Sequence, residues 1–219
     1  MVNILFDCPN EAEFLPELRE FIPRTARVTV LALSYYDDYI FDAASWRHHY
    51  GEGGRGYDEI LATFTPFGIS PDRIEFVDYF SDTKSSATEK IRSADILYFT
   101  GGLPDRMMER IIDMDILDAL KLHTGTVMGY SAGAVIQLDE YHLSPDSDYS
   151  EFGYYRGLGY LDGLYLEVHY EGRATQDESI ERVLCERDCP LFVFPTAKGG
   201  IVVTEDGIRA IGDVKLYRG

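Results

Sequence analysis

The sequence predicts an α/β fold whose sheet is mostly parallel and covered by helices on both faces. Three observations carry this. Short apolar runs alternate almost throughout with segments whose apolar residues recur at helical spacing. The lengths between successive runs suit right-handed crossovers between parallel strands. Towards the C-terminus the alternation gives way to two strand-like runs joined by Glu205-Asp206-Gly207, a hairpin signal that gives the sheet an antiparallel edge.

Val2–Phe6 (VNILF) reads as the first strand and Glu11–Phe21 as the first helix, with Phe14, Leu15, Leu18 and Phe21 on one face. Arg27–Leu33 (RVTVLAL) is a buried strand by its β-branched and apolar content. A loop rich in Tyr and Asp follows, Tyr35–Arg55, with a placement suited to covering a site or meeting a second subunit. The next elements are a helix over Gly56–Phe67, a strand over Arg73–Val77, a short helix over Thr83–Arg92 and a strand over Asp95–Thr100 (DILYFT), closed by Gly101-Gly102. Pro104–Leu122 reads as one long helix with Pro in its first turn. Residues 125–129 form a strand, 132–138 a helix, and 139–160 a polar loop of Asp, Ser, Tyr and Gly. The remaining elements are a strand over Tyr165–His169, a helix over Ala174–Arg187, a strand over Leu191–Phe194, and the hairpin Gly200–Thr204 with Ile208–Ile211.

At 219 residues the chain fits a single α/β domain spanning 1–219. Lys+Arg of 20 against Asp+Glu of 38 gives a net charge of −18, a field that repels nucleic acid and anionic membranes, so neither is an expected partner. No window approaches the roughly 18 apolar residues of a membrane span. The first residues lack a signal-peptide pattern, and the cytoplasm is the expected compartment. Cys185 and Cys189 lie four residues apart without a second Cys/His pair at zinc-site spacing, so reduced thiols and no metal are expected.

Gly129-Tyr130-Ser131-Ala132-Gly133-Ala134 joins the strand at 125–129 to a helix. A serine at such a corner, between residues too small to block backbone approach, has the setting of a nucleophile elbow. The turn exposes its hydroxyl above the sheet and aims the first helical N–H groups at the same point. A serine hydroxyl attacks only when a base takes its proton. Of five histidines, His169 ends a strand, where it can meet a serine at another strand's carboxyl end. His142 is the runner-up. Asp139, Glu140, Asp146, Asp148, Glu151 and Asp162 lie between Ser131 and His169, and spacing does not select among them as the acid. Gly101-Gly102 offers backbone N–H groups for a developing oxyanion. An unperturbed histidine would give a rate loss below about pH 6–7.

These landmarks resemble the peptidase E family, serine dipeptidases that cleave after an N-terminal aspartate and are related to cyanophycinases. Ser93–Gly102 is similar to that family's strand ending in Gly-Gly, residues 129–134 to its Gly-x-Ser-Ala-Gly-Ala elbow, and Gly157-Leu158-Gly159 leading to His169 to its histidine strand. The resemblance implies a flavodoxin-like three-layer sandwich akin to class I glutamine amidotransferases, with no metal and no organic cofactor. It implies Ser131 as nucleophile, His169 as base, Asp146 as acid with Asp148 close by, and the N–H groups of Gly102 and Ala132 as oxyanion hole. The implied substrate is a short peptide or small amide, and a homodimer stays open. Phe194-Pro195-Thr196-Ala197-Lys198-Gly199 lacks the carboxylate that some members carry there, and Leu103-Pro104 departs from the polar residues usual after Gly-Gly. Arg156 and Arg173 are the candidates to hold an aspartyl side chain. The competing reading is a non-catalytic protein that binds a small ligand or peptide on the same fold.

Overall fold

The computed structural model describes residues 1–9 and 11–218. In chain order the elements are β1 (Val2–Phe6), α1 (Leu15–Leu18), β2 (Val28–Leu31), α2 (Ala43–Tyr50), α3 (Arg55–Phe64), β3 (Ile74–Val77), α4 (Lys84–Ser93), β4 (Ile96–Phe99), α5 (Pro104–Asp113), α6 (Leu117–Lys121), β5 (Thr126–Tyr130), α7 (Ala132–Val135), β6 (Glu140–Leu143), β7 (Gly153–Arg156), β8 (Tyr165–Glu167), α8 (Ala174–Glu186), β9 (Leu191–Val193), β10 (Gly199–Thr204), β11 (Gly207–Gly212) and β12 (Lys215–Tyr217).

The central sheet has seven strands in the order β11-β10-β1-β5-β4-β2-β3. Its last five run parallel, and β10 and β11 form the antiparallel edge. Every residue of β2 and β4 is buried, as a strand covered on both faces requires. Alternate residues serve opposite layers. Val28, Val30, Ile96 and Tyr98 pack with Trp46, Ile60 and Phe64 of α2 and α3, whereas Leu31, Leu97 and Phe99 pack with Ile91, Met107 and Ile111 of α4 and α5. Burial of each such side chain contributes about 1.5–3 kcal/mol, which fixes strand register on both sides. A three-stranded sheet, β12-β9-β8, packs Leu166 and Phe192 against Leu5 and Ile201 of the main sheet.

Three expectations need correction. The helix over 104–122 is two helices, because Asp115 takes a left-handed φ of 54° and re-aims the chain so that Ile116 is fully buried while Ile112 stays exposed. The polar loop at 139–160 contains a hairpin, β6 against β7. The loop at 35–55 contains α2, started by a reciprocal cap in which Asp42 Oδ1 accepts from Ser45 N–H at 2.7 Å. The beginning of that loop is pinned by Arg110 of α5, which is buried and donates to the carbonyls of Leu33 and Tyr35 at 2.5 and 2.9 Å.

Candidate active site

Ser131 follows β5 directly and takes φ 52°, ψ −119°, a conformation costly for a residue with a Cβ. Two glycines make the corner possible. A Cβ on Gly129 would lie 2.3 Å from the Gly133 carbonyl oxygen, and one on Gly133 would lie 2.1 Å from that of Phe99. With both absent, α7 seats directly on β4 and β5. Ser131 N–H donates to the Phe6 carbonyl at 2.9 Å, which ties the elbow to β1.

Parallel pairing then decides what stands beside the serine. Phe6 of β1 pairs with Tyr130 of β5, so Asp7 and Ser131 are the next residues along neighbouring strands. From across the site His169 brings its ring between them. His169 Nε2 is 2.8 Å from Ser131 Oγ, and Nδ1 is 3.2 Å from Asp7 Oδ2. Asp7 Oδ1 also accepts the His169 backbone N–H at 2.5 Å, so one buried carboxylate holds both ring and main chain. His169 lies two residues beyond β8 with φ 53°, the second left-handed residue of this constellation. Gln176 of α8 braces that backbone, its Nε2 donating to the His169 carbonyl at 2.9 Å.

The acid beside the imidazole is therefore Asp7, and the assignment of that position to Asp146 is corrected. Asp146 Oδ1 accepts the backbone N–H groups of Asp148 and Tyr149 at 2.8 and 2.9 Å, so it shapes its own turn at the pocket wall. Asp148 accepts from the Tyr36 hydroxyl at 2.7 Å, which joins the early loop to the far wall. His142 is buried and bonded elsewhere: its Nε2 donates to Glu167 Oε2 at 2.7 Å, and the same oxygen accepts from Ser144 Oγ at 2.8 Å. Glu167, unremarked in the sequence, anchors a buried network that Gln176 Nε2 joins at 3.1 Å. Its signal was its place in an alternating strand: a charged residue at a core position.

Asp7 and the hydrogen bond with Cys8 push the His169 pKa up to about 10, against burial, which pulls it down. The Asp7 carboxylate stabilises the imidazolium and orients the neutral ring towards Ser131.

Ser131, Gly102, Ala132 and His169 line one cavity of about 220 Å³. Gly102 has φ 135°, and a Cβ there would sit 2.2 Å from the Ser34 carbonyl oxygen. The same carbonyl accepts Leu103 N–H at 2.7 Å, and the Ser34 hydroxyl donates to the Gly101 carbonyl at 2.5 Å, so the turn is braced from the segment that follows β2. Ala132 is the first residue of α7, where a backbone N–H has no intrahelical acceptor. Of the two candidate arginines, Arg173 lines the cavity; Arg156 pairs with Asp139 outside it.

The family model for peptidase family S51 matches residues 55–211. The chain belongs to peptidase family S51. That match contains Ser131 and His169 and stops short of Asp7. The S51 chain is similar in structure to a peptidase from an acI-B1 Actinobacterium, at 14% identity and a TM-score of 0.68, covering 99% of this chain and 89% of that one. It is similar also to a putative peptidase E protein from Listeria monocytogenes EGD-e, at 15% identity and a TM-score of 0.61, covering 100% and 98%. At such identities the likeness speaks to the fold, a flavodoxin-like α/β sandwich. No curated protein matches the sequence.

Proposed function

We propose that this S51 peptidase is a serine-type exopeptidase hydrolysing short peptides through Ser131, His169 and Asp7. The observation that carries the reading is the continuous chain from Ser131 Oγ to His169 to a buried carboxylate, with spacings of 2.8 and 3.2 Å. Ser131 attacks the scissile carbonyl while His169 Nε2 takes its proton. The N–H groups of Gly102 and Ala132 meet the oxyanion. His169 returns the proton to the leaving amine, and water, deprotonated by the same ring, releases the acyl group.

The pocket supports a short substrate. A cavity of about 220 Å³ is smaller than sites for drug-sized ligands and suits one amino-acid side chain. Asp146 and Asp148 at its wall suit a free α-amino group, and Arg173, paired with Glu171 at 3.6 Å, is a lining cation suited to an N-terminal aspartyl side chain. The three free cysteines, Cys8, Cys185 and Cys189, suit a reducing compartment such as the cytoplasm.

The test is hydrolysis of a dipeptide panel with N-terminal Asp, Glu or an uncharged residue, together with covalent labelling by a fluorophosphonate. Ser131→Ala should abolish labelling and lower kcat by about 10⁶-fold. Full activity in that variant refutes the reading; absence of labelling and of turnover in the native protein favours the non-catalytic ligand-binding alternative.

A further inference from the structure

Beside the catalytic constellation stands a residue that peptide hydrolysis does not use. Cys8 follows Asp7 at the end of β1, and its Sγ lies 3.5 Å from Asp7 Oδ2. Asp7 Oδ2 is in turn 3.2 Å from His169 Nδ1, and one ligand atom from each of the three side chains falls within 4.8 Å of the others. Among the described residues this is the one cluster of three metal-ligating side chains that close. We propose that Asp7, Cys8 and His169 form an inhibitory site for a thiophilic divalent cation, with zinc as the matching ion.

The chemistry of the donor set selects the ion. Sulfur, imidazole nitrogen and carboxylate oxygen together suit zinc, whereas magnesium and calcium take oxygen ligands. The spacing fits as well. A tetrahedral zinc with bonds of about 2.0–2.3 Å has ligand-to-ligand edges of roughly 3.3–3.7 Å, close to the 3.2 and 3.5 Å observed around Asp7 Oδ2. Three protein ligands leave a fourth position for water. Asp7 is buried, Cys8 half-buried and His169 exposed, so the cluster opens to solvent on one side. The net charge of −18 draws cations to the surface.

Inhibition follows from proton placement. Zinc takes a lone pair from His169 Nδ1, and the Cys8 thiol loses its proton to solvent as the Zn–S bond forms. The proton that Nδ1 held towards Asp7 is released to solvent, and the one proton the ring keeps sits on Nε2. Nε2–H points at Ser131 Oγ as a donor, no lone pair remains to accept the serine proton, and Asp7 is engaged by the metal. The nucleophile is intact but has no base.

Two readouts test this. Cobalt(II) serves as a spectroscopic stand-in for zinc on the purified full chain, where thiolate ligation gives a charge-transfer band in the near ultraviolet. The band should appear in the native protein, persist in Ser131→Ala and vanish in Cys8→Ser. Because it requires no turnover, it stands or falls separately from the peptidase reading. Fluorophosphonate labelling with and without zinc, each variant compared with itself, should slow by about tenfold or more in the native protein and recover with a chelator. Loss of an outer partner alone costs about 10–100-fold in metal affinity, so removing the Cys8 ligand should cost at least about 100-fold. A band that survives Cys8→Ser, through Cys185 or Cys189, overturns the proposal, as does labelling that zinc leaves unchanged.

Discussion

In the proposed mechanism His169 must be neutral to accept the Ser131 proton, and its surroundings favour the charged form. The carboxylate of Asp7 and the hydrogen bond with Cys8 raise its pKa to about 10. The sign follows directly: the active form is the deprotonated ring, so raising its pKa moves the acid limb of the rate profile upward. In place of a loss confined below about pH 6–7, which an unperturbed histidine gives, kcat/KM should climb steadily between pH 7 and pH 10. A profile already flat above pH 7 would show that the pair is weaker than its geometry. At this scale the sequence was half legible. Ser131 and His169 were singled out by their places just past strands, and the structure brings them within 2.8 Å. Asp7 obeys the same rule, as the first residue past VNILF, yet it is one of 38 acidic residues and lies 162 positions from its histidine. The carboxylates weighed lay between Ser131 and His169, and the family resemblance pointed to Asp146 among them, whereas the parallel pairing of β1 with β5 sets Asp7 beside Ser131.

The elements hold the residues in conformations they would not adopt alone. Ser131 and His169 both have positive φ, each costing about 1–3 kcal/mol. The elbow tolerates this because α7 is clamped onto β4 by close backbone contact at Gly133. Gly133→Ala places a methyl within 2.1 Å of the Phe99 carbonyl, and neither group is a flexible side-chain end. We expect a stability loss of about 1–3 kcal/mol in urea unfolding, with slower fluorophosphonate labelling as Ser131 is displaced. An unchanged midpoint would mean that the elbow has slack. The strands and long helices were readable because period and burial agree in them. The 104–122 segment misled because its apolar positions continue across Asp115, where one left-handed residue resets the register. The β6–β7 hairpin was hidden because the stretch joining its Tyr-rich strands, rich in Ser and Asp, lacks a short-turn signature.

Across the whole molecule, the site is where distant parts of the chain converge on one sheet edge. β1 leads into Asp7 and Cys8, the segment after β2 braces Gly101-Gly102 through Ser34, β5 leads into Ser131, and the segment after β8 supplies His169. The S51 match at residues 55–211 spans Ser131 and His169, and the fold sets Asp7 beside them from outside it. Among the described residues no helix is long and apolar enough to cross a membrane. Asp7→Asn and Asp146→Asn, compared for kcat/KM on the same dipeptide, separate the two candidate acids. Loss of the tautomer-fixing carboxylate should cost Asp7→Asn about 10⁴-fold, with Asp146→Asn within a few-fold of the native enzyme. The reverse order, with Asp146→Asn crippled and Asp7→Asn active, would contradict the proposed Ser131-His169-Asp7 triad.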